Sequence, residues 1–131
     1  MAEENLEIVR RFYDAFNRRD WEAMFRDAHP GFELTTQRGV TAGTSRGRKQ
    51  VQEFAEDYVE TFGKMIWEPE EFFEGGDQIV VFIKIRSRPK GGNVDMEVRV
   101  GNVWTIRDGT ILSLQTFPVR EEALEAAGLR E

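Results

Sequence analysis

Apolar residues recur every three or four positions in much of the first half of the chain. This spacing predicts amphipathic helices over about Glu3–Arg18 and Arg48–Phe62. Asp20 can cap a second, short helix that begins at Trp21, and the sequence VREEALEAAGLR predicts a helix near the end of the chain. Elsewhere apolar and polar residues alternate, which predicts strands over residues 32–36, 65–74, 78–88, 94–107 and 110–117.

Segments with glycine and proline separate these elements. HPG, at residues 29–31, predicts the end of the second helix, and QRGVTAGTSRG, at residues 37–47, predicts a loop or a ragged sheet edge. Asp108-Gly109 lies between two alternating runs and predicts a two-residue hairpin. The last four strands are therefore expected to form an antiparallel meander in an α+β fold. Because these strands are long, their sheet is expected to twist and to present a concave face, which the helices close.

A single amide interrupts the apolar face of the strand predicted over residues 94–107. The other face carries Asp95, Glu97 and Arg99, whose alternating charges are typical of ion pairs on a solvent-facing sheet. The sequence thus predicts one polar side chain, Asn102, within an apolar wall. The residues in phase with it are Val94, Met96, Val98, Val100, Trp104 and Ile106.

Composition removes several classes of function. The formal net charge is −6 and the sequence pI is about 5.0, so we expect no nucleic-acid partner, because phosphate contacts need a basic face. The absence of cysteine fits a reducing compartment, and we expect a cytoplasmic protein. No apolar run reaches membrane-spanning length, so no membrane partner is expected. One histidine cannot build a histidine-rich metal site, and no cofactor is expected.

Several segments in this order resemble one family. VRRFYDAFNRRDWEAMFRDAHPGFEL, SRGRKQVQEFAEDY, GGDQIVV, VWTIRDGTIL and REEALEAAGL are similar to the SnoaL-like, polyketide-cyclase-type branch of the nuclear transport factor 2-like superfamily. The resemblance spans nearly the whole chain and implies a single SnoaL-like domain over residues 1–131. It also implies a cone-shaped, curved antiparallel sheet that wraps around N-terminal helices and encloses a pocket.

The resemblance also implies where catalytic groups would lie. Ketosteroid isomerases of this superfamily use a tyrosine on the first helix, an aspartate base at the end of the first strand and a neutral acid on the third meander strand. These positions fall on Phe12, Thr36 and Asn102, so the pattern lacks its base. Asn102 can still donate a hydrogen bond to a carbonyl oxygen. The catalytic candidates are Asn102, which would polarise an oxygen, and Thr36 and Tyr58, which would orient it.

The pattern on the predicted concave face supplies candidates for ligand contact. They come from the first helices and from the third and fourth meander strands. In a cavity fold such residues serve as core, as ligand wall, or as both. The candidates are Phe12, Phe16, Met24, Val100, Trp104, Leu114 and Thr116.

Two further features have structural and functional interpretations. His29, the single histidine, is expected to cap a helix end, with proton transfer as the alternative. Phe82, Val103 and Phe117 share the outer face of the sheet with charged residues, which favours a homodimer through that face over a solvated surface.

Three functions remain open from the sequence. The first is an enzyme, such as an isomerase, cyclase or hydratase that acts on an apolar carbonyl compound. The second is a non-catalytic protein that binds a small apolar ligand. The third is a dimeric accessory domain whose cavity is filled by its own side chains. We expect a SnoaL-like protein that acts on or binds a small molecule, as in the first two of these, because the resemblance implies a pocket inside the fold.

Overall fold

The computed structural model of the protein describes residues 2–36, 42–89 and 91–129. The long helices and the last four strands begin and end within two residues of their predicted bounds. The helices are α1 (Ala2–Arg18), α2 (Trp21–Met24), α3 (Gly47–Phe62) and α4 (Arg120–Ala126). The strands are β1 (Ala28–Thr36), β2 (Gly43–Arg46), β3 (Lys64–Gly75), β4 (Gln78–Arg88), β5 (Met96–Arg107) and β6 (Thr110–Phe117).

The strands form one curved, unclosed sheet in the order β2-β1-β6-β5-β4-β3. The predicted meander from β3 to β6 is confirmed, since each of these strands pairs antiparallel with the next. Asp108 and Gly109 have φ values of 53° and 74°, the left-handed conformation that a tight hairpin turn requires. The α+β architecture predicted from the sequence is therefore confirmed.

The pairing of the first strand with the last was not predicted. β1 lies parallel to β6, with Leu34 opposite Leu114 and Thr36 opposite Thr116. The sheet therefore contains one parallel pair beside the antiparallel meander. α3 and the meander separate the two strands along the chain, and local patterns carry no information about such a distant pairing.

The prediction for HPG is wrong. HPG does not end a helix but lies inside β1, in an irregular stretch of its ladder between Ala28 and Glu33, where Pro30 can be accommodated without its missing N–H. His29 therefore caps no helix; its Nδ1 accepts a hydrogen bond from the Gly31 N–H at 2.8 Å. Within residues 37–47, for which a loop or a ragged sheet edge was predicted, the structure forms β2, a short strand that pairs with β1 at the edge of the sheet. Residues 37–41 lie outside the described residues.

Helices α1 and α3 pack on the inner, concave face of the sheet, where most of the core lies. β5 contributes Asn102, Trp104 and Ile106 to this buried region, each at most 1% exposed. Its first residues on the same face, Met96 and Val98, are about half exposed. The alternation in β5 thus identifies the inner face correctly, but only the second half of the strand is deeply buried.

Helix α4 covers an apolar part of the outer face. Ala123 and Leu124 pack with Val80, Phe82 and Val103, and Phe117 packs against the same group. Ala123 approaches so closely that a Cβ placed on Gly101 would lie 2.6 Å from the alanine Cβ. The apolar residues on which the dimer prediction rested therefore contact the chain's own helix.

The remaining outer face carries ion pairs between strands. Asp95 pairs with Arg88 at 2.7 Å, and Arg99 pairs with Glu70 at 3.0 Å. Glu97 lies 3.3 Å from the Lys84 amine. Asp95, Glu97 and Arg99 thus form the cross-strand ion pairs that their alternation predicts, on the side of the sheet away from the core.

Candidate functional site

A cavity of about 140 Å³ lies between the inner face of the sheet and helices α1, α2 and α3. Its wall is mostly aliphatic and aromatic. Val98 and Pro118 are exposed lining residues and mark a side of the cavity that faces solvent. The lining residues are Phe12, Phe16, Met24, Leu34, Thr36, Val51, Phe54, Ala55, Tyr58, Trp67, Ile85, Val98, Val100, Thr116 and Pro118.

Three side-chain hydroxyls are polar groups of this wall, and they belong to Thr36 on β1, Thr116 on β6 and Tyr58 on α3. The lining residue Trp67 also has an indole N–H, which donates to the Met65 sulfur at 3.3 Å. No aspartate, glutamate, histidine, lysine or arginine is among the lining residues in the described part of the chain. The cavity can therefore hold an apolar molecule and offer hydrogen bonds to it, but its described wall has no group that could act as a general base near neutral pH.

Seven of the residues predicted from the sequence line this cavity: Phe12, Phe16, Met24, Thr36, Tyr58, Val100 and Thr116. The other three, Asn102, Trp104 and Leu114, are completely buried behind the wall. Asn102 was expected to touch a ligand oxygen, and the structure instead places it in contact with Thr116, which does line the cavity. The α3 residues Val51, Phe54 and Ala55 were missed because their apolar stripe is equally typical of plain core packing.

Four polar side chains form a chain of hydrogen bonds from the core to the cavity wall. Trp104 Nε1 donates to the Tyr13 hydroxyl at 2.9 Å. The Tyr13 hydroxyl donates to Asn102 Oδ1 at 2.6 Å. Asn102 Nδ2 in turn donates to Thr116 Oγ1 at 3.1 Å. We call this series, Trp104–Tyr13–Asn102–Thr116, the polar chain; it accounts for the amide in the otherwise apolar face of β5.

Burial keeps the tyrosines of the site neutral. It raises the pKa of Tyr13 well above its usual value of 10.0, while the hydrogen bond from Trp104 acts in the opposite direction and is the smaller effect. Burial also raises the pKa of Tyr58. Both phenols therefore remain protonated at neutral pH and can donate hydrogen bonds.

Tyr13 is the member of the polar chain that was not among the candidates from the sequence. The comparison with ketosteroid isomerases placed the tyrosine position on Phe12, whereas the structure brings Tyr13 to Asn102. The Phe12 ring instead packs edge-on against Trp104, with centroids 4.7 Å apart, and it lines the cavity. The hydroxyl of Tyr13 was the signal available in the sequence, because a buried tyrosine hydroxyl usually has a hydrogen-bond partner.

The end of α1 fixes one aromatic wall of the cavity. Asn17 Nδ2 donates to the Trp67 carbonyl and Asn17 Oδ1 accepts from the Trp67 N–H, both at 2.9 Å. Arg19 donates to the Met65 carbonyl at 2.7 Å. These bonds hold β3 against the helix, so that the Trp67 ring packs 4.4 Å from that of Phe16 and both rings form cavity wall.

Other kinds of site find no support in the described residues. They contain no group of three or more histidine, cysteine, aspartate or glutamate side chains able to hold a metal ion. None of the helices that the structure describes is long and apolar enough to cross a membrane. His29 is exposed and lies outside the cavity lining, so its geometry gives no support to proton transfer there.

A curved sheet, closed by helices around an apolar cavity, is also the fold of solved nuclear transport factor 2-like proteins. The profile of the SnoaL-like domain matches residues 9–114, and the chain belongs to the SnoaL-like family. The resemblance inferred from the sequence segments is thus confirmed.

Solved structures agree with this assignment. TerC, co-crystallised with polyporic acid, is 26% identical, with a TM-score of 0.81 over 95% of this chain and 97% of TerC. A nuclear transport factor 2-like protein from Burkholderia pseudomallei is 24% identical, with a TM-score of 0.79 over 95% and 97% of the two chains. A Mycobacterium tuberculosis protein in complex with estradiol-17beta-hemisuccinate is 17% identical, with a TM-score of 0.77 over 90% and 95%. No curated protein matches the chain by sequence.

Proposed function

We propose that this protein binds a small, mostly apolar molecule in the cavity between α3 and the sheet. The observation that carries the proposal is the wall itself, which is mostly apolar and offers the hydroxyls of Thr36, Tyr58 and Thr116. Pockets for small molecules combine such an apolar wall with a few polar groups that fix orientation. In a purely structural domain the protein's own side chains would fill this space. The cavity of about 140 Å³ does not agree with that alternative.

The size of the cavity limits the part of a ligand that it can enclose. Its volume of about 140 Å³ is close to that of an engineered cavity of ~150 Å³ that binds benzene. One substituted ring is therefore a suitable occupant. A longer molecule can extend past Val98 and Pro118, the exposed residues of the wall.

The ligands of two similar structures support this choice. TerC was crystallised with polyporic acid, and the Mycobacterium tuberculosis protein with estradiol-17beta-hemisuccinate. Both compounds combine apolar rings with oxygen atoms, which is the chemistry that the cavity wall of this chain complements. The cytoplasmic location, the single domain over residues 1–131 and the homodimer stay predictions.

Catalysis on such a ligand is the second candidate. The hydroxyls of Tyr58 and Thr116 can polarise a carbonyl oxygen, as an isomerase, cyclase or hydratase would require. Proton abstraction would need a base, and the described lining residues supply none near neutral pH. Binding without acid–base chemistry is therefore the function that the described wall supports best.

The proposal is tested by filling the cavity. Ala55 is 5% exposed and lines it, and Ala55→Leu adds three carbon atoms to the cavity space. Acetophenone serves as the probe, with affinity measured from NMR chemical shifts during titration. We expect Ala55→Leu to weaken acetophenone binding by at least about tenfold, because the added side chain occupies the probe's place.

The matched control is Ala126→Leu, the same change on the exposed side of helix α4. It should leave acetophenone affinity unchanged, and thermal unfolding should show that both variants remain folded. Absence of acetophenone binding to the wild-type protein, or equal affinity in wild type and a folded Ala55→Leu variant, would contradict the proposed site.

A further inference from the structure

The hydrogen bonds of the polar chain run one way, from donor to acceptor, and Trp104 at the buried end sets their order. The indole N–H of Trp104 can only donate, and it donates to the Tyr13 hydroxyl at 2.9 Å. Both side chains are at most 2% exposed. The phenol oxygen of Tyr13 is therefore an acceptor for tryptophan, and its single proton is available for the next residue.

That proton goes to Asn102 and fixes the orientation of the amide. Tyr13 donates to Asn102 Oδ1 at 2.6 Å, so the amide oxygen faces the tyrosine and the amide nitrogen faces β6. A rotated amide would place its N–H₂ group against a phenol that already accepts from Trp104, and would leave the phenol proton without an acceptor in a buried position. Such an unpaired buried group is strongly disfavoured.

The amide nitrogen then determines what Thr116 offers to the cavity. Asn102 Nδ2 donates to Thr116 Oγ1 at 3.1 Å, so the threonine oxygen acts as an acceptor toward the core. No other hydrogen bond of this hydroxyl is found among the residues that the structure describes. Because Thr116 lines the cavity, its own proton remains for a bound molecule.

We propose that the polar chain makes Thr116 a hydrogen-bond donor that selects ligands carrying an acceptor oxygen, such as a ketone, quinone or ester carbonyl. This inference rests on the proposed function and names the ligand class of the same cavity. Thr116 is the specificity-determining residue of this proposal, since it lines the cavity that the ligand would occupy. Tyr13 and Asn102 are positioning residues that act through it.

Three probes of similar size test whether Thr116 donates a hydrogen bond to the ligand. Acetophenone has a carbonyl acceptor, α-methylstyrene replaces that oxygen by a CH₂ group of nearly the same shape, and indole has an N–H donor. Their affinities are measured for the wild-type protein, Thr116→Val and Thr116→Ser. The valine variant keeps the shape of the side chain without its hydroxyl, whereas the serine variant keeps the hydroxyl.

We expect Thr116→Val to weaken acetophenone binding by about three- to tenfold, the loss of one hydrogen bond. The affinities for α-methylstyrene and indole should change less than about twofold, and Thr116→Ser should retain acetophenone binding. Thr105→Val, on the outer face of β5, is the control and should change none of the three affinities.

The outcomes separate this inference from the proposed function. If no probe binds the wild-type protein, the proposed function itself is contradicted, and this inference with it. If the probes bind and Thr116→Val weakens all three equally, or weakens indole as much as acetophenone, the cavity is a binding site but Thr116 is not a directed donor. If Thr116→Val leaves the affinity for acetophenone unchanged, Thr116 is likewise not a directed donor, since another hydroxyl would then hold the carbonyl.

Discussion

The Tyr13 hydroxyl lies at the centre of the polar chain, and its removal tests the energetic importance of that chain. Tyr13→Phe keeps the aromatic ring, which packs perpendicular to Trp104 with centroids 5.5 Å apart. It removes the acceptor of the Trp104 N–H and the donor to Asn102 Oδ1 at once. Both partners are completely buried, so water cannot readily replace the hydroxyl.

The expected loss follows from the two polar atoms left without partners. Each unsatisfied buried donor or acceptor costs about 1–3 kcal/mol. Because one atom of Trp104 and one of Asn102 lose their partners, we expect the free energy of unfolding to fall by about 2–6 kcal/mol. For a domain of this size, that corresponds to a decrease in melting temperature of about 3–5 °C for each kcal/mol.

The assay is urea unfolding followed by tryptophan fluorescence, with Tyr58→Phe as the matched control. The Tyr58 hydroxyl has no hydrogen-bond partner among the described residues, so its removal should change the free energy of unfolding by less than about 0.5 kcal/mol. The effects of Tyr13→Phe and Asn102→Leu should also be non-additive, because both break the same bond. Equal stability of Tyr13→Phe and Tyr58→Phe would refute the reasoning.

Two further predictions concern alkaline pH and the packing of α4. Burial raises the pKa of Tyr13 above 10.0, so above about pH 10 the unfolded chain loses a proton that the folded chain keeps. The free energy of unfolding should therefore fall more steeply with rising pH in the wild-type protein than in Tyr13→Phe. The difference between the two slopes should reach up to about 1.4 kcal/mol per pH unit in parallel urea titrations. Gly101→Ala would bring a Cβ to 2.6 Å from that of Ala123 and should lower the free energy of unfolding by about 1–3 kcal/mol. Adding Ala123→Gly should restore part of the loss, and no restoration would contradict the proposed clash.

Periodicity predicted the elements whose burial depends on local alternation. The α1 and α3 stripes and the β4–β6 alternation each mark the residues that pack into the main core, so the sequence records that face directly. The Asp108-Gly109 turn was predictable because two consecutive positive φ values favour this pair of residues. β2 and the parallel pairing of β1 with β6 were not, because they depend on contacts between residues far apart in the chain.

The outer face shows a second limit of sequence patterns. Phe82 and Val103 alternate with charged residues as a dimer surface would, yet Ala123 and Leu124 of α4 cover them. A pattern records that an apolar face must be covered, but not whether a partner or the same chain covers it. Gly101 was a signal for the second possibility, because a glycine inside a strand often marks a close approach of another element.

For the candidate site, alternation identified the face of each residue but not its depth. Asn102 and Val100 share the inner face of β5, yet Val100 lines the cavity while Asn102 lies behind it against Tyr13. The difference depends on where α1 fills the concave face and where space remains, which a period of two does not contain. An amide at Asn102 is well suited to this hidden position, because it accepts from one side and donates to the other. Its role in the structure is to connect the Tyr13 donor to the Thr116 oxygen, and so to decide which atom of threonine faces a ligand.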